Sequence, residues 1–164
     1  MKLKVEIVRS ARRRKTIEAT REGNRVVVRM PATLTRAEQR KWVKEMIARL
    51  EQTEKVNRLN EKRELERRAR ELHERYFHGR PALRSIRYVA NQRDRYGSCT
   101  PDDRSIRLSH VIADYPDWVR DYVIVHELAH LRVPDHSPYF WQLVRRYPHA
   151  ERARGYLIAK GIDG

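Results

Sequence analysis

His126-Glu127-Leu128-Ala129-His130, continuing through Leu131-Arg132-Val133-Pro134-Asp135-His136-Ser137-Pro138, is the stretch on which the reading of this chain turns. Two histidines four residues apart on a helix project from one face, a turn apart. They can reach a single metal ion while the glutamate beside the first meets water at an open position of that ion. In a chain with seven histidines the pentapeptide alone decides little; the residues just after it weigh more. Pro134 predicts a helix end at Val133. Ser137 is a natural N-cap and Pro138 a natural first residue of a new helix, which leaves His136 in a tight connection able to fold back toward the preceding helix. Three imidazoles and a carboxylate would make an open zinc site.

The helix carrying the pentapeptide is predicted to start at Pro116. Val119, Tyr122, Val123, His126 and His130 share one side, and Ile124, Val125, Leu128 and Leu131 cover most of the rest. A helix apolar nearly all round is buried, and buried imidazoles and carboxylates need hydrogen-bond partners or a metal. Beyond Pro138, the stripe Phe140, Trp141, Val144 and Tyr147 predicts a helix that Pro148 ends, with the aromatics read as packing. A last helix over 151–160 stops at Gly161. Upstream, Ser85 to Ala90 and Ser105 to Ser109 read as strands. Between them lie a polar stretch, Asn91 to Thr100, and a turn at Pro101-Asp102-Asp103. Strand, turn, strand, helix is by analogy the order of zinc hydrolases that lay an extended substrate along a sheet edge.

Further out, Thr35 and Glu38 form a capping box ahead of an amphipathic stripe, Trp42, Val43, Met46, Ile47 and Leu50. A break or a weakly packed, solvent-exposed stretch is expected within 51–64, where Asn57 and Asn60 appear. The stripe resumes with Leu65, Ala69, Leu72 and Tyr76 and stops at Gly79-Arg80-Pro81. Alternating runs at 3–9, 16–20 and 25–30 predict an antiparallel three-stranded meander, with Arg12-Arg13-Arg14-Lys15 as a solvated hairpin tip. The fold class expected is therefore α+β, in one domain over 1–164. It comprises a β-meander (1–31), a long charged helical segment (35–79) and a metal-site core (84–164) of short strands, active-site helix and C-terminal helices.

Composition sets outer limits. The 37 Lys+Arg against 22 Asp+Glu give a net charge of +15, a field that favours anionic partners. Nucleic-acid association through the basic surface is one expectation, a plainly solvated surface the other, since the charge is spread along the chain. Cys99 is the single cysteine, which excludes an intrachain disulfide and suits a reducing compartment. With no secretory signal and no apolar run long enough for a bilayer, the expected location is cytoplasmic, with no membrane partner.

From Arg95 to Trp141 the sequence resembles the YgjP-like metal-dependent hydrolases, a branch of the zincin metallopeptidases. The matching signatures are Arg95-Tyr96-Gly97-Ser98-Cys99, the strand Ile106-Arg107-Leu108, the run from Asp121 through Leu131, and His136-Ser137-Pro138 with Phe140-Trp141. Tyr96 stands where the family usually has tryptophan. The spacing from the pentapeptide to His136 is also similar to that of the SprT-like DNA-dependent proteases. The resemblance implies His126, His130 and His136 as metal ligands, Glu127 as catalytic general base, and one Zn2+ per chain as cofactor. The metzincin pattern is not met, because Val133 stands three residues after His130. Glu151 is a far weaker ligand candidate than His136.

A peptidase would also need a donor for the tetrahedral oxyanion, and Tyr139, Tyr96 and His110 are the candidates, with Tyr147 behind them. If Cys99 reached the ion, the site would be closed and structural. The first expectation is thus a zinc-dependent, metallopeptidase-like hydrolase acting on a peptide or protein. The alternatives are a nucleoside-triphosphate pyrophosphatase using the same metal site, an activity associated with YgjP-like members, a nucleic-acid-binding module with a structural zinc, and a degenerate zincin used for protein interaction.

Overall fold

The computed structural model describes residues 4–79, 83–92 and 95–161, and the chain divides into two compact units between Lys55 and Val56. Leu3, and Arg80 and Pro81 of the expected helix stop, lie outside the described residues. No helix among the described residues is long and apolar enough to cross a membrane.

The first unit holds β1 (Lys4–Ser10), β2 (Glu18–Glu22), β3 (Arg25–Pro31) and most of α1 (Arg36–Glu61). The sheet is not the expected antiparallel meander. Its order is β1-β3-β2, with β1 parallel and β2 antiparallel to β3. A tight turn joins β2 to β3, where Gly23 takes a positive φ of 61°. The longer link between β1 and β2, carrying the basic run, lets the chain pass the end of β3. The sequence holds the sign of this arrangement. Val26, Val27 and Val28 are all buried, and an unbroken apolar run marks a strand covered on both faces. Val26, Val28 and Met30 pack with Val43, Met46, Ile47 and Leu50 of α1. The capping box is formed: the Thr35 N–H donates to Glu38 Oε2 at 2.8 Å and the Glu38 N–H to Thr35 Oγ1 at 3.3 Å.

The helix α1 continues past Asn57 and Asn60, and the expected break falls at the end of the 51–64 stretch: α1 ends at Glu61, the chain turns at Arg63, where φ is 52°, and helix resumes at Glu64. Asn60, which thins the apolar pattern, serves the second unit. Its side-chain amide donates to the Tyr88 carbonyl at 3.1 Å and accepts from the Tyr88 N–H at 2.9 Å. One asparagine thus satisfies both backbone groups of a residue on an edge strand.

In the second unit, α2 (Glu64–Tyr76) is followed by β4 (Ser85–Val89), β5 (Gly97–Thr100) and β6 (Ser105–Ser109). A 3-10 turn (His110–Asp114) leads to α3 (Asp117–His130), α4 (Pro138–Val144) and α5 (Ala150–Ala159). The sheet order is β4-β6-β5, with β4 parallel and β5 antiparallel to β6. The β5 strand falls in the stretch expected to be a polar connection. Gly97-Ser98-Cys99-Thr100 has no apolar alternation and, apart from Thr100, no strand-favouring residue; the ladder to β6 makes it a strand. Pro116 is the N-cap of α3 rather than its first residue, and α4 ends at Val144, short of Tyr147. Tyr147 is still buried, its hydroxyl donating to the Trp118 carbonyl at 3.0 Å.

The α3 helix is the centre of the unit. Val119, Ile124, Val125 and Ala129 have no exposed surface, as its all-round apolar pattern requires. Asp121, also buried, accepts from Arg68 Nε at 2.9 Å and Nη2 at 2.6 Å, tying α2 to α3. Arg132 and Arg146 donate to the carbonyls of Tyr76, Phe77 and His78 at the end of α2. Part of the arginine surplus therefore closes a helix terminus. Removing one member of a buried pair strands the other's charge, at about 3–5 kcal/mol. Arg68 is 40% exposed and also paired with Glu71 at 3.0 Å, so its charge is not stranded and Asp121→Ala is expected to lower the unfolding free energy by less, about 1–2 kcal/mol, read as a lower urea midpoint at unchanged slope.

Candidate metal centre

His126 and His130 lie one turn apart on α3, and His136 comes from the connection before α4. The connection is built as its sequence demands: Ser137 caps α4, its hydroxyl accepting from the Phe140 N–H, with Pro138 next in the chain. The three imidazoles converge, with ring centroids 5.0, 5.1 and 4.8 Å apart. One nitrogen from each falls in a set whose members all lie within 4.8 Å of one another. The Nε2 atoms of His126 and His136 are 3.1 Å apart. Two nitrogens bound tetrahedrally at about 2.0–2.1 Å from zinc stand roughly 3.3 Å apart, so the donor set fits such an ion. Among the described residues the clustered group is these three imidazoles; Cys99 and Glu151 are not in it. Glu151 is an exposed residue paired with Arg145 at 3.3 Å.

The surroundings prepare the rings as donors. His130 Nδ1 lies 3.0 Å from the Val133 carbonyl; a carbonyl only accepts, so Nδ1 carries the proton and Nε2 keeps its lone pair. Pro134 ends the helical run and leaves that carbonyl available. Phe140 stacks on His130 at 4.4 Å and meets His126 edge-on at 4.9 Å, while Trp141 stacks on His136 at 5.6 Å. These two aromatics, expected as packing, form the bed on which the imidazoles rest. Burial, with the neighbouring imidazoles, holds His126 neutral down to about 3 and lowers His130 as well. Protons therefore compete weakly with a cation at neutral pH.

Glu127 is 5% exposed, and burial pushes its carboxyl up to about 8 against the opposing pull of Arg95. Its side chain lies against the backbone of β5. A Cβ at Gly97 would come within 2.8 Å of Glu127 Cγ and Cδ and still nearer Oε1. Gly97 is thus a positioning residue that the sequence does not announce as one. Gly97→Ala is expected to displace the carboxylate and lower kcat by about a hundredfold, with metal content unchanged. Cys99, also on β5, has its thiol pushed up to about 12 by burial and the charge of Glu127.

In the metal-free chain the two shifts act in opposite senses. Glu127, raised from 4.5 to about 8, contributes stability that is complete below about pH 4.5 and lost as pH rises toward 8. His126, lowered from 6.5 to about 3, contributes stability present above 6.5 and lost as pH falls toward 3. In chelator, the melting temperature is expected to fall between pH 6.5 and 8, and Glu127→Gln to flatten that slope. An identical slope in the variant would assign it to other groups.

The cluster opens on a cavity of about 480 Å3, the size of a small-ligand or peptide-side-chain site. One wall is β5 with Arg95 and Tyr96, the floor is α3 with Tyr122, and α5 supplies Arg154, Leu157 and Ile158. Of the oxyanion candidates, Tyr96 lines this cavity, but its ring is buried edge-on to Tyr115 at 5.8 Å. Tyr139 is 55% exposed and lines no part of it; His110 sits on the 3-10 turn, also outside the lining. Tyr122, in sequence a stripe residue of the helix, does line it. Burial keeps its phenol protonated up to about 12, with Arg154 opposing and Glu151 and Glu127 reinforcing the shift.

Three converging imidazoles beside a buried carboxylate, at the mouth of a cavity with an edge strand, are the equipment of a metal-dependent hydrolase. Residues 83–159 match the family model of the YgjP-like metallopeptidase domain. The fold is similar to the crystal structure of the metallopeptidase zymogen of Pyrococcus abyssi abylysin, at 19% identity and a TM-score of 0.52, over 60% of this chain and 97% of that one. No curated protein matches the chain. The structural likeness shows the fold; the domain match supports a metal-dependent peptidase, and a metallopeptidase domain implies a catalytic metal that the histidine cluster could hold.

Proposed function

We propose that the chain is a cytoplasmic zinc-dependent peptidase in which His126, His130 and His136 hold one Zn2+ and Glu127 is the general base. The observation that carries this reading is the convergence of three imidazoles next to a carboxyl buried against Gly97. Bound zinc would supply a Lewis acid that polarises the scissile carbonyl and lowers the pKa of water toward about 7. Glu127 takes up the proton of the attacking water on a carboxylate oxygen and returns it to the leaving amine. Gly97 gives that side chain its room, Val133 fixes the tautomer of His130, and Phe140 and Trp141 keep the rings from swinging out. The outer edge of β5, a strand that among the described residues pairs with β6 alone, offers an extended peptide a backbone to pair with beside the base.

A second reading, hydrolysis of a nucleoside triphosphate at the same centre, is favoured by Arg95 and Arg154 in the cavity wall, since guanidinium groups suit phosphates as well as carboxylates. One experiment separates the two: a peptide library and a nucleoside-triphosphate panel offered to the zinc-loaded wild type and to Glu127→Gln. Cleavage of peptides alone, lost in the variant, is the expected result. Triphosphate hydrolysis without peptide cleavage would replace the first reading by the second.

A further inference from the structure

The α5 wall of the cavity has no part in holding the ion or moving the proton, yet it is not a neutral surface. Arg154 enters the cavity lining from α5 with its guanidinium 5.1 Å from the centre of the Trp141 ring. Stacking on an aromatic face holds a guanidinium in place and leaves its edge donors free. Glu151, the acid one turn earlier on α5, is paired with Arg145 at 3.3 Å, although its charge still reaches Tyr122. Tyr122 reaches the same cavity from α3, with a side chain that is only 5% exposed. Tyr122 thus shares the cavity lining with Arg154 and with the general base Glu127. Leu157, Ile158 and Val123 supply the apolar surface around them.

We infer that Tyr122 and Arg154 form a carboxylate-binding subsite next to the scissile bond, so that the preferred substrate is a peptide carrying an acidic side chain or its own terminal carboxylate beside the bond that is cut. The inference rests on the peptidase reading for what the subsite serves, but the subsite can be tested without turnover. A cation on one wall and a neutral hydroxyl donor on the floor match the two oxygens of a carboxylate. Tyr122 is buried while Arg154 is exposed, so the arginine's attraction for a carboxylate weakens with added salt. The +15 charge of the chain favours the approach of acidic peptides in general.

The test uses matched fluorescent peptides that differ in one residue, Glu, Gln or Lys, each made with a free or an amidated C-terminus. Binding is measured on zinc-loaded Glu127→Gln protein, where nothing is cleaved, and kcat/KM on the zinc-loaded wild type. Carboxylate-bearing peptides are expected to bind about tenfold tighter than their neutral partners. Arg154→Gln should erase that ratio, Arg154→Lys restore part of it, and Tyr122→Phe reduce it. Comparing Glu with Gln, and free with amidated termini, tells a side-chain carboxylate from a terminal one. Equal binding of acidic and neutral peptides, or a ratio untouched by Arg154→Gln, would overturn the subsite. ATP displacing the acidic peptide at far lower concentration than free glutamate peptides would overturn it in favour of a polyphosphate. If the binding ratio and its loss are found while the wild type cleaves no peptide, the peptidase reading fails and the subsite stands.

Discussion

Glu127→Gln is expected to leave one metal ion per chain in place and to lower peptide hydrolysis by about 10²–10⁴-fold, the usual contribution of a positioned general base. The substitution keeps the shape of the side chain in a place with little tolerance, since the backbone of Gly97 lies against it. It removes the group beside the imidazoles that can accept a proton at neutral pH once a dication draws the carboxyl back below its metal-free value of about 8. The loss should fall on kcat with little change in KM, because the proton moves in the transition state and not on binding. Peptide cleavage by the variant at the wild-type rate, with equal zinc content, would remove Glu127 from the chemistry.

The second large effect is expected on the metal itself. His126→Ala should weaken zinc binding by well over a hundredfold, since partners that only orient a ligand are already worth roughly ten- to a hundredfold. His126 makes the most of the site: it lies close to both other imidazoles, to Phe140 and to Trp141. Zinc at a hundred times its Kd should stabilise the wild type against unfolding by about 2.7 kcal/mol. The same zinc should not move the melting curve of His126→Ala. A wild-type melting temperature that zinc leaves unchanged would mean that the three imidazoles serve each other and hold no ion.

Much of this geometry is legible in the sequence because local rules and tertiary demands agree along residues 117–138. The all-round apolar pattern of α3, the arrest at Pro134 and the Ser137-Pro138 helix start each specify backbone conformation through short-range sterics and capping. They place His136 opposite the pentapeptide with little freedom left. The illegible part depends on partners distant in sequence. Little in Gly97-Ser98-Cys99-Thr100 says strand until β6 supplies a ladder, and Gly97 acquires its role only through contact with Glu127. Arg154 resembles any exposed cation of a helix until α5 is seen lining the cavity. The first sheet departs from the expected meander because succession along the chain is not adjacency in space, and Val26-Val27-Val28 carries the pattern of a central strand. Phe140 and Trp141 make the apolar contacts that their spacing predicts, but what they contact is the imidazoles.

Anomalous diffraction at the zinc absorption edge, from crystals grown with the ion, tests the central claim most directly. A single strong peak per chain is expected about 2.0–2.1 Å from one nitrogen of each of His126, His130 and His136, with the fourth position open to solvent. A peak coordinated by the sulfur of Cys99, or one bound away from these three rings, would contradict it.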